Sequence, residues 1–275
     1  MSLLLALGGA LFYGAGDFAG GFASKRFPAW GVMAWSQTIG LAALAAGLIL
    51  FPAETVTVGD ILWGAAAGVG GAVGIGLLYR ALAEGAMAVV SPVTAATTAV
   101  VPVIVDLVTG GELSLLSAVG VGLALVAILA VAWEKSARRL SPRLLVMALV
   151  AGFGFALFFI FIAQTSEESG FWPLVGARLV TIPLGFTLHR LLESGSMFGT
   201  AGFRWIAAAG LLDMGANLFV AAALQRGPLG IVSVISSLYP VVTALLAVIL
   251  LRERLSTTQV GAVVLAMLAV VLLVL

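Results

Sequence analysis

Ten unbroken apolar runs constrain the fold of this chain more than any other feature of its sequence. They cover residues 3–22, 29–51, 59–82, 87–109, 114–133, 144–163, 171–192, 203–224, 229–251 and 257–275. A helix needs about 20 apolar residues to cross the hydrocarbon core of a bilayer. Strands of a membrane β-barrel alternate in polarity instead, and these runs do not alternate. The sequence therefore predicts an all-α integral membrane protein with ten transmembrane helices.

The composition agrees with this prediction and excludes several classes of protein. Hydrophobic residues make up 62% of the chain and charged residues 9%, whereas soluble domains are about half apolar and about a quarter charged. The formal net charge of +1 is too small for a nucleic-acid-binding protein. The chain has no cysteine and a single histidine, His189, which excludes disulfides, thiolate metal sites and multi-histidine metal sites. We expect no metal, no other cofactor and no nucleic-acid partner.

The distribution of Lys and Arg predicts how the helices are oriented. Of the 13 basic residues, all but Arg178 and Arg226 lie in the loops after predicted helices 1, 3, 5, 7 and 9: Lys25, Arg26, Arg80, Lys135, Arg138, Arg139, Arg143, Arg190, Arg204, Arg252 and Arg254. The loops after helices 2, 4 and 6 carry glutamates instead: Glu54, Glu112, Glu167 and Glu168. Because basic loops face the cytoplasm, we expect a multi-pass protein of the cell inner (plasma) membrane with both termini outside the cytoplasm.

The second half of the sequence repeats the first. Trp63 and Ser91 match Trp205 and Ser233, each 142 residues later. Other pairs keep an offset of 141 or 142 residues: Phe12 with Phe153, Gly68 with Gly210, Gly85 with Gly227, Val90 with Val232, and Val119-Gly120 with Val260-Gly261. Chance identity among abundant Gly and Val is the alternative. Two one-residue gaps, one in each half, reconcile every pair, which favours a true duplication.

The duplication predicts both the domain organisation and a mechanism. Residues 1–133 form the first five-helix repeat, residues 134–143 a basic connecting loop, and residues 144–275 the second five-helix repeat. Because five is an odd number of spans, the second repeat is inverted in the membrane relative to the first. Inverted-topology repeats are typical of secondary transporters, which bind substrate between the repeats near the midplane. We therefore expect a monomer that works by alternating access.

Several stretches of the chain resemble the EamA branch of the drug/metabolite transporter superfamily. They are Tyr13-Gly-Ala-Gly-Asp17-Phe-Ala-Gly-Gly21, Ser36-Gln37, Ala83-Glu-Gly85, Leu212-Asp213-Met-Gly-Ala-Asn217, Ser236-Ser-Leu-Tyr-Pro240 and the turn Glu253-Arg-Leu-Ser256. The resemblance covers essentially the whole chain. It implies a bundle with helices 5 and 10 at the periphery and eight helices around a central cavity, and the export, or occasionally the uptake, of small metabolites. It also implies cytoplasmic termini, which disagrees with the distribution of Lys and Arg.

Ionisable residues deep in the predicted spans are the first candidates for functional sites, because a charge at mid-bilayer costs a few kcal/mol. Asp17 is either a proton-coupling carboxylate or a residue that hydrogen-bonds a neighbouring helix. Asp213 shares a helix face with Asn217, and the two either contact substrate and couple protons or clamp helices together. Arg178 is a counter-ion for Asp17 or Asp213, a clamp for a substrate carboxylate, or an interfacial residue. Gln37 occupies the position of Arg178 in the first repeat and is a further substrate-binding candidate.

Hydroxyl groups on predicted helices 4 and 9 supply the remaining candidates for substrate binding. The candidates are Ser91, Thr94, Thr98, Ser233, Ser236 and Ser237, and Tyr79 and Tyr239 add aromatic walls. We predict that the two rows of hydroxyls face each other across the axis that relates the repeats. They either bind polar groups of the substrate or serve helix packing. Pro102 and Pro240 can each kink their helix.

These features favour a secondary transporter that exports a small polar metabolite such as an amino acid. The buried carboxylates and Arg178 offer both signs of charge, which suits a zwitterionic solute, and Asp17 or Asp213 would couple transport to protons. The expected partners are thus a small-molecule substrate, the lipid bilayer and protons. An enzyme is not expected, because the sequence shows no nucleophile paired with a base and no Walker motif. A membrane channel or a scaffold without carrier activity is the alternative.

Overall fold

The computed structural model describes residues 1–84, 87–132, 141–193, 195, 200–242 and 257–274. The α-helices in these residues are α1 (Ser2–Ser24), α2 (Ala29–Leu50), α3 (Val58–Glu84), α4 (Met87–Val108), α5 (Leu115–Ala132), α6 (Pro142–Ile162), α7 (Trp172–Leu192), α8 (Thr200–Leu224), α9 (Leu229–Ser236) and α10 (Thr257–Val274). A 3-10 turn at Glu167–Ser169 follows α6. Within these ranges the chain forms no β-strand.

Six helical segments are long and apolar enough to cross a membrane, which confirms the prediction of an all-α, multi-pass membrane protein. They are Ser2–Ser24, Ala29–Leu50, Val58–Glu84, Val90–Val108, Pro142–Ile162 and Gly202–Leu224. Leu115–Ala130 and Leu229–Val242 are shorter apolar helical segments. Although α7 has 21 residues, it carries Arg178, His189 and Arg190, which reduce its apolar character. The total of ten spans in two inverted repeats stays a prediction.

Some predicted features lie outside the described residues. The basic connecting loop predicted at residues 134–143 is described only from residue 141 onward. The turn at residues 253–256, the part of predicted helix 9 after residue 242, and Gly85 are likewise not described.

The helix that begins at Leu229 is discontinuous, which differs from the single span predicted for residues 229–251. After Ser236 the chain makes a turn at residues 237–238, and it is helical again at residues 239–242. The Leu238 amide closes the turn by donating to the carbonyl of Ile235 at 3.1 Å. Pro240 has no amide hydrogen, so the carbonyl of Ser236 loses its partner one turn ahead. Pro240 therefore accounts for the interruption. Pro102, by contrast, lies inside a continuous α4.

Glycines bring the helices of the two halves of the chain into direct backbone contact. A Cβ atom at Gly40 of α2 would lie 2.9 Å from the carbonyl oxygen of Gly210 on α8, and one at Gly210 would overlap the carbonyl of Ser36. In the same way, a Cβ atom at Gly68 of α3 would lie 2.5 Å from the carbonyl oxygen of Ala177 on α7. Only glycine permits such close approach of two helices. As a result, side chains one turn from these contacts meet each other.

The loops beside Met1, which follow α2, α6 and α8, are joined by hydrogen bonds. The amides of Glu54 and Thr55 both donate to the carbonyl of Glu168, at 2.9 and 3.2 Å. The Gln225 side-chain amide donates to the hydroxyl of Thr165 at 3.1 Å and to the carbonyl of Gly170 at 3.0 Å. We call this end of the bundle the N-terminal side.

Asp106 fixes the start of α9 on the same side. Its Oδ2 atom accepts a hydrogen bond from the amide of Gly230, in the first turn of α9, at 2.9 Å. Free amides at the start of a helix are stabilised by a negative charge. Asp106 therefore connects the end of α4 to the beginning of α9.

Candidate functional site

A single carboxylate oxygen of Asp213 is the centre of the main buried polar network. Its Oδ2 atom accepts hydrogen bonds from Gln37 Nε2 at 2.9 Å, Arg178 Nη2 at 3.1 Å and Asn217 Nδ2 at 3.0 Å. The donors come from α2, α7 and α8, and each of the four residues is at most 7% exposed. Three polar residues selected from the sequence thus converge on the fourth.

Helix geometry explains why these side chains meet. Gln37 directly follows Ser36, whose backbone lies against Gly210 of α8, and Asp213 lies one turn beyond Gly210, so this close contact brings the two side chains within reach of each other. Asn217 lies four residues after Asp213 and therefore shares its helix face. Arg178 directly follows Ala177, whose backbone contacts Gly68 of α3.

The network is close to electrically neutral. The guanidinium of Arg178 and the carboxylate of Asp213 form an ion pair whose side chains are 4% and 9% exposed. A buried charge without a partner is costly, and a pair with further hydrogen bonds offsets most of this cost. Of the two counter-ions considered for Arg178, the structure therefore selects Asp213 over Asp17.

Tyr13 extends the network to α1, although it was not selected as a site residue from the sequence. Its hydroxyl donates to Asn217 Oδ1 at 2.8 Å. Its ring stacks on Phe159 of α6 with centroids 6.4 Å apart and meets the ring of Tyr239 edge-on, also at 6.4 Å. Tyr13 thus connects α1, α6, α8 and the segment after α9 at one level of the bundle. Only its place in the Tyr13-to-Gly21 stretch distinguished it in the sequence.

A small central cavity lies beside this network. It has a volume of about 20 Å³ and is lined by Tyr13, Asp17, Thr98, Phe155, Phe159, Asp213 and Tyr239. A space of this size holds about one water molecule. Both predicted proton-coupling residues, Asp17 and Asp213, line the central cavity, as do Thr98 and Tyr239 among the predicted substrate-binding residues.

Asp17 differs from Asp213 in its surroundings. Among the residues that the structure describes, no side chain or backbone group hydrogen-bonds or ion-pairs with the carboxyl group of Asp17. Its helix nevertheless packs tightly: a Cβ atom at Gly16 would lie 3.3 Å from the amide nitrogen of Asp213, and one at Gly20 would overlap the ring of Tyr79. Asp17 therefore presents an uncompensated carboxyl group to the central cavity.

The hydroxyls of Thr94 and Thr98 are turned toward α6. Thr94 Oγ1 donates to the carbonyl of Ala148 at 3.2 Å. Thr98 Oγ1 lies 2.9 Å from the carbonyl of Thr94 and 3.2 Å from that of Gly152. In this conformation both hydroxyls satisfy backbone carbonyls of α4 and α6; that the two rows of hydroxyls face each other stays a prediction.

The remaining predicted site residues are buried but lie outside the network around Asp213. Ser233, Ser236 and Ser237 are at most 1% exposed, and their hydroxyls have no hydrogen-bond partner in the described part of the chain. They do not line the central cavity. Tyr79 is 1% exposed and packs against Gly20 of α1. In the described part of the chain, neither the serines nor Tyr79 hydrogen-bonds to Gln37, Arg178, Asp213 or Asn217.

One donor atom and one acceptor atom of the network have no hydrogen-bond partner. Within the described residues, Arg178 Nε is a buried donor without an acceptor, and Gln37 Oε1 is a buried acceptor without a donor. Buried polar atoms without partners are uncommon and indicate a site that a ligand or water can complete. Arg178 and Gln37 both donate to Asp213, and Asp213 lines the central cavity together with Asp17.

Comparison with known proteins identifies sequence and structural relatives. The family model described as the EamA-like transporter family matches residues 1–133 and again residues 143–275. No curated protein matches the sequence. The structure is similar to a crystal structure of another protein with a TM-score of 0.80 and 17% sequence identity, covering 100% of this chain and 98% of the other. At this identity the similarity concerns the fold.

Proposed function

The chain belongs to the EamA-like transporter family, and from this premise we propose that it is a secondary transporter that exports a small polar metabolite such as an amino acid. Members of the family are membrane transporters, and a small-molecule substrate follows from that membership. The class of substrate, the direction and the coupling are our proposal. The observation that carries it is the uncompensated Asp17 carboxyl beside the charge-balanced network of Arg178 and Asp213.

The substrate would bind where donor and acceptor capacity are unused. A substrate carboxylate would accept from Arg178, whose planar guanidinium presents several donors in a fixed geometry. A substrate ammonium would donate to Gln37 Oε1 and Asp17. A central cavity of about 20 Å³ is too small for an amino acid, so the site would have to widen to admit substrate.

Asp17 is the better candidate for proton coupling. Asp213 already accepts three hydrogen bonds, one of them from its counter-ion Arg178. Asp17 has no such partner among the described residues, and it lines the cavity in which the substrate ammonium would lie. Protonation of Asp17 and binding of a cationic group would therefore compete for one carboxylate.

Alternating access between two inverted five-helix repeats would supply the transport mechanism. Reciprocal packing supports this view: α1 contacts α8 and α3 contacts α6, as expected if helices 1 and 6 and helices 3 and 8 are related pairs. The family match to residues 1–133 and 143–275 divides the chain almost where the predicted repeats divide. On the distribution of Lys and Arg, both termini would lie outside the cytoplasm.

A binding screen followed by flux measurements tests the proposal. Purified protein is screened by thermal shift against amino acids, amines, nucleosides and sugars, because a ligand raises the apparent stability of the folded state. The best ligand is then followed in proteoliposomes under an imposed pH gradient. We expect Asp17→Asn to abolish the response of the flux to pH, whereas Glu112→Gln, an exposed carboxylate on a loop, leaves it unchanged. A pH-driven flux that persists in both Asp17→Asn and Asp213→Asn would contradict proton coupling. Flux without saturation would favour a channel.

A further inference from the structure

A second and much larger cavity lies on the opposite face of α8 from Asp213. It has a volume of about 880 Å³, within the range of pockets that bind organic ligands of moderate size. We call it the lateral groove; its apolar walls include Leu5, Leu50, Phe51, Phe171, Leu218 and Phe219. On α8 the groove residues Gly215, Leu218 and Ala222 recur at helical spacing and point away from Asp213 and Asn217. The lateral groove is therefore separate from the central cavity.

The lateral groove lies between α1 and α2, with α8 as its floor. A Cβ atom at Gly8 of α1 would lie 3.1 Å from the ring of Phe219, and one at Gly47 of α2 would lie 2.9 Å from the side chain of Leu218. Both helices therefore rest on α8, and the groove is the gap left between them. At its inner end the ring of Phe12 packs against Phe219 with centroids 5.3 Å apart.

The flanks of the lateral groove are apolar and exposed, so the groove opens toward the bilayer. Leu4 on α1 is 72% exposed and Ile49 on α2 is 79% exposed. Leu211, one turn before Gly215 on the same face of α8, is 44% exposed. In a multi-pass protein, exposed apolar faces of spanning helices contact lipid. A lipid chain can therefore enter the groove from the side.

The mouth of the lateral groove on the N-terminal side is charged. Glu54, Glu167, Glu168, Gln225 and Arg226 line it, so its side chains carry three negative charges and one positive charge. Arg226 Nε ion-pairs with Glu167 Oε1 at 2.7 Å, and Arg226 Nη1 donates to the carbonyl of Ala222 at 3.0 Å. In the described part of the chain, the carboxylates of Glu54 and Glu168 have no ion-pair partner. The mouth therefore offers two free carboxylates beside one arginine.

We propose that the lateral groove binds one membrane phospholipid whose headgroup carries a primary ammonium group. An acyl chain would lie against Leu218 and Phe219, and the headgroup would lie at the mouth. The ammonium group would pair with Glu54 and Glu168, and a phosphate oxygen would accept from the Nη2 group of Arg226. Phosphatidylethanolamine has this headgroup, whereas phosphatidylglycerol carries a net negative charge and would meet two uncompensated carboxylates.

Native mass spectrometry tests the proposal without reference to transport. The protein is delipidated in detergent and exposed to equimolar phosphatidylethanolamine and phosphatidylglycerol with identical acyl chains. We expect one phosphatidylethanolamine to be retained per chain. In Glu54→Gln/Glu168→Gln the preference for phosphatidylethanolamine over phosphatidylglycerol should fall at least about threefold, because two exposed charge pairs with the ammonium group are lost. Glu112→Gln, a matched exposed glutamate in the loop before α5, should keep the preference of the parent protein.

A second variant separates the apolar groove from its charged mouth. Ala222→Leu narrows the lateral groove and should reduce retention of both lipids, while the ratio between them stays as in the parent protein. Retention of neither lipid, equal retention of both by the parent protein, or an unchanged preference in the double glutamine variant would overturn the proposal. Retention of detergent or of a small soluble amine in place of lipid would overturn it as well, whatever the flux experiments show.

Discussion

The buried ion pair between Arg178 and Asp213 allows a sharp test of the polar network. Arg178→Gln leaves the Asp213 carboxylate in an apolar interior without its counter-ion, and Asp213→Asn leaves the guanidinium without its partner. The double variant Arg178→Gln/Asp213→Asn has no net charge to compensate. The side-chain amide oxygen introduced by Asp213→Asn can still accept hydrogen bonds from Gln37 and Asn217. The account therefore predicts that each single variant is less stable than the double variant.

The expected loss of unfolding free energy follows from the distance and the burial of the pair. Arg178 Nη2 and Asp213 Oδ2 are 3.1 Å apart, and the two side chains are 4% and 9% exposed. Breaking a buried pair by removing one partner costs about 3–5 kcal/mol, whereas replacing both partners by neutral groups costs much less. We expect the single variants to lose about 3–5 kcal/mol of unfolding free energy and the double variant to lose less than either.

Equilibrium unfolding in detergent micelles, combined in a double-mutant cycle, measures this coupling. The partly exposed pair of Arg80 and Glu84, whose atoms lie 3.0 Å apart, is the matched control. Its single variants should change stability by about 0.5 kcal/mol or less. If the effects of Arg178→Gln and Asp213→Asn simply add, or if each is as small as the control, the assignment of a strong buried pair is wrong.

Three further predictions concern packing, capping and orientation. Gly68→Ala should cost about 1–3 kcal/mol of unfolding free energy, because its new methyl group meets the backbone of α7. Gly122→Ala is the control and should leave the unfolding free energy nearly unchanged, because nothing lies within 4 Å of its new methyl group. Asp106→Ala should cost about 1 kcal/mol in the same unfolding assay, since the start of α9 loses its carboxylate acceptor, and an unchanged midpoint would contradict this. The chain has no cysteine, so Ser2→Cys should react with an impermeant thiol reagent in whole cells while Lys25→Cys should not; the reverse would overturn the orientation.

Much of the architecture could be predicted because few backbone structures can satisfy their hydrogen bonds inside a bilayer. Continuous apolar runs can only become buried or membrane-spanning helices, and six of the ten predicted spans are confirmed at nearly their predicted limits. Membership of the EamA-like family, inferred from short motifs, is confirmed by the family match. Polar residues in such runs are costly, and for that reason Gln37, Arg178, Asp213 and Asn217 stood out and are found together.

Other features depend on three-dimensional contacts that spacing does not encode. Helical periodicity placed Thr94 and Thr98 on one face, but it could not show that their hydroxyls meet backbone carbonyls of α6. Apart from its place in the Tyr13-to-Gly21 stretch, nothing in the sequence pointed to Tyr13, because its hydrogen-bond partner Asn217 lies more than 200 positions later. The lateral groove is lined by residues of α1, α2 and α8 and of the loops beside them, and no single segment carries its signature.

The interruption after Ser236 could be predicted only in part from the sequence. Pro240 was identified in the sequence as a residue able to kink its helix, which is what the missing amide hydrogen dictates. Whether a proline bends a helix or interrupts it depends on how neighbouring helices satisfy the freed backbone groups. Pro102, in the continuous helix α4, shows the other outcome in the same chain.

Counterflow in proteoliposomes distinguishes a carrier whose substrate site includes Arg178 from a channel. Vesicles loaded with an unlabelled ligand from the binding screen are diluted into a trace of the same labelled ligand. We expect saturable, transient accumulation of label that Arg178→Gln abolishes and that the exposed-site variant Arg80→Gln retains. Flux that rises in proportion to concentration without stimulation from the opposite side, or counterflow that survives Arg178→Gln, would contradict it.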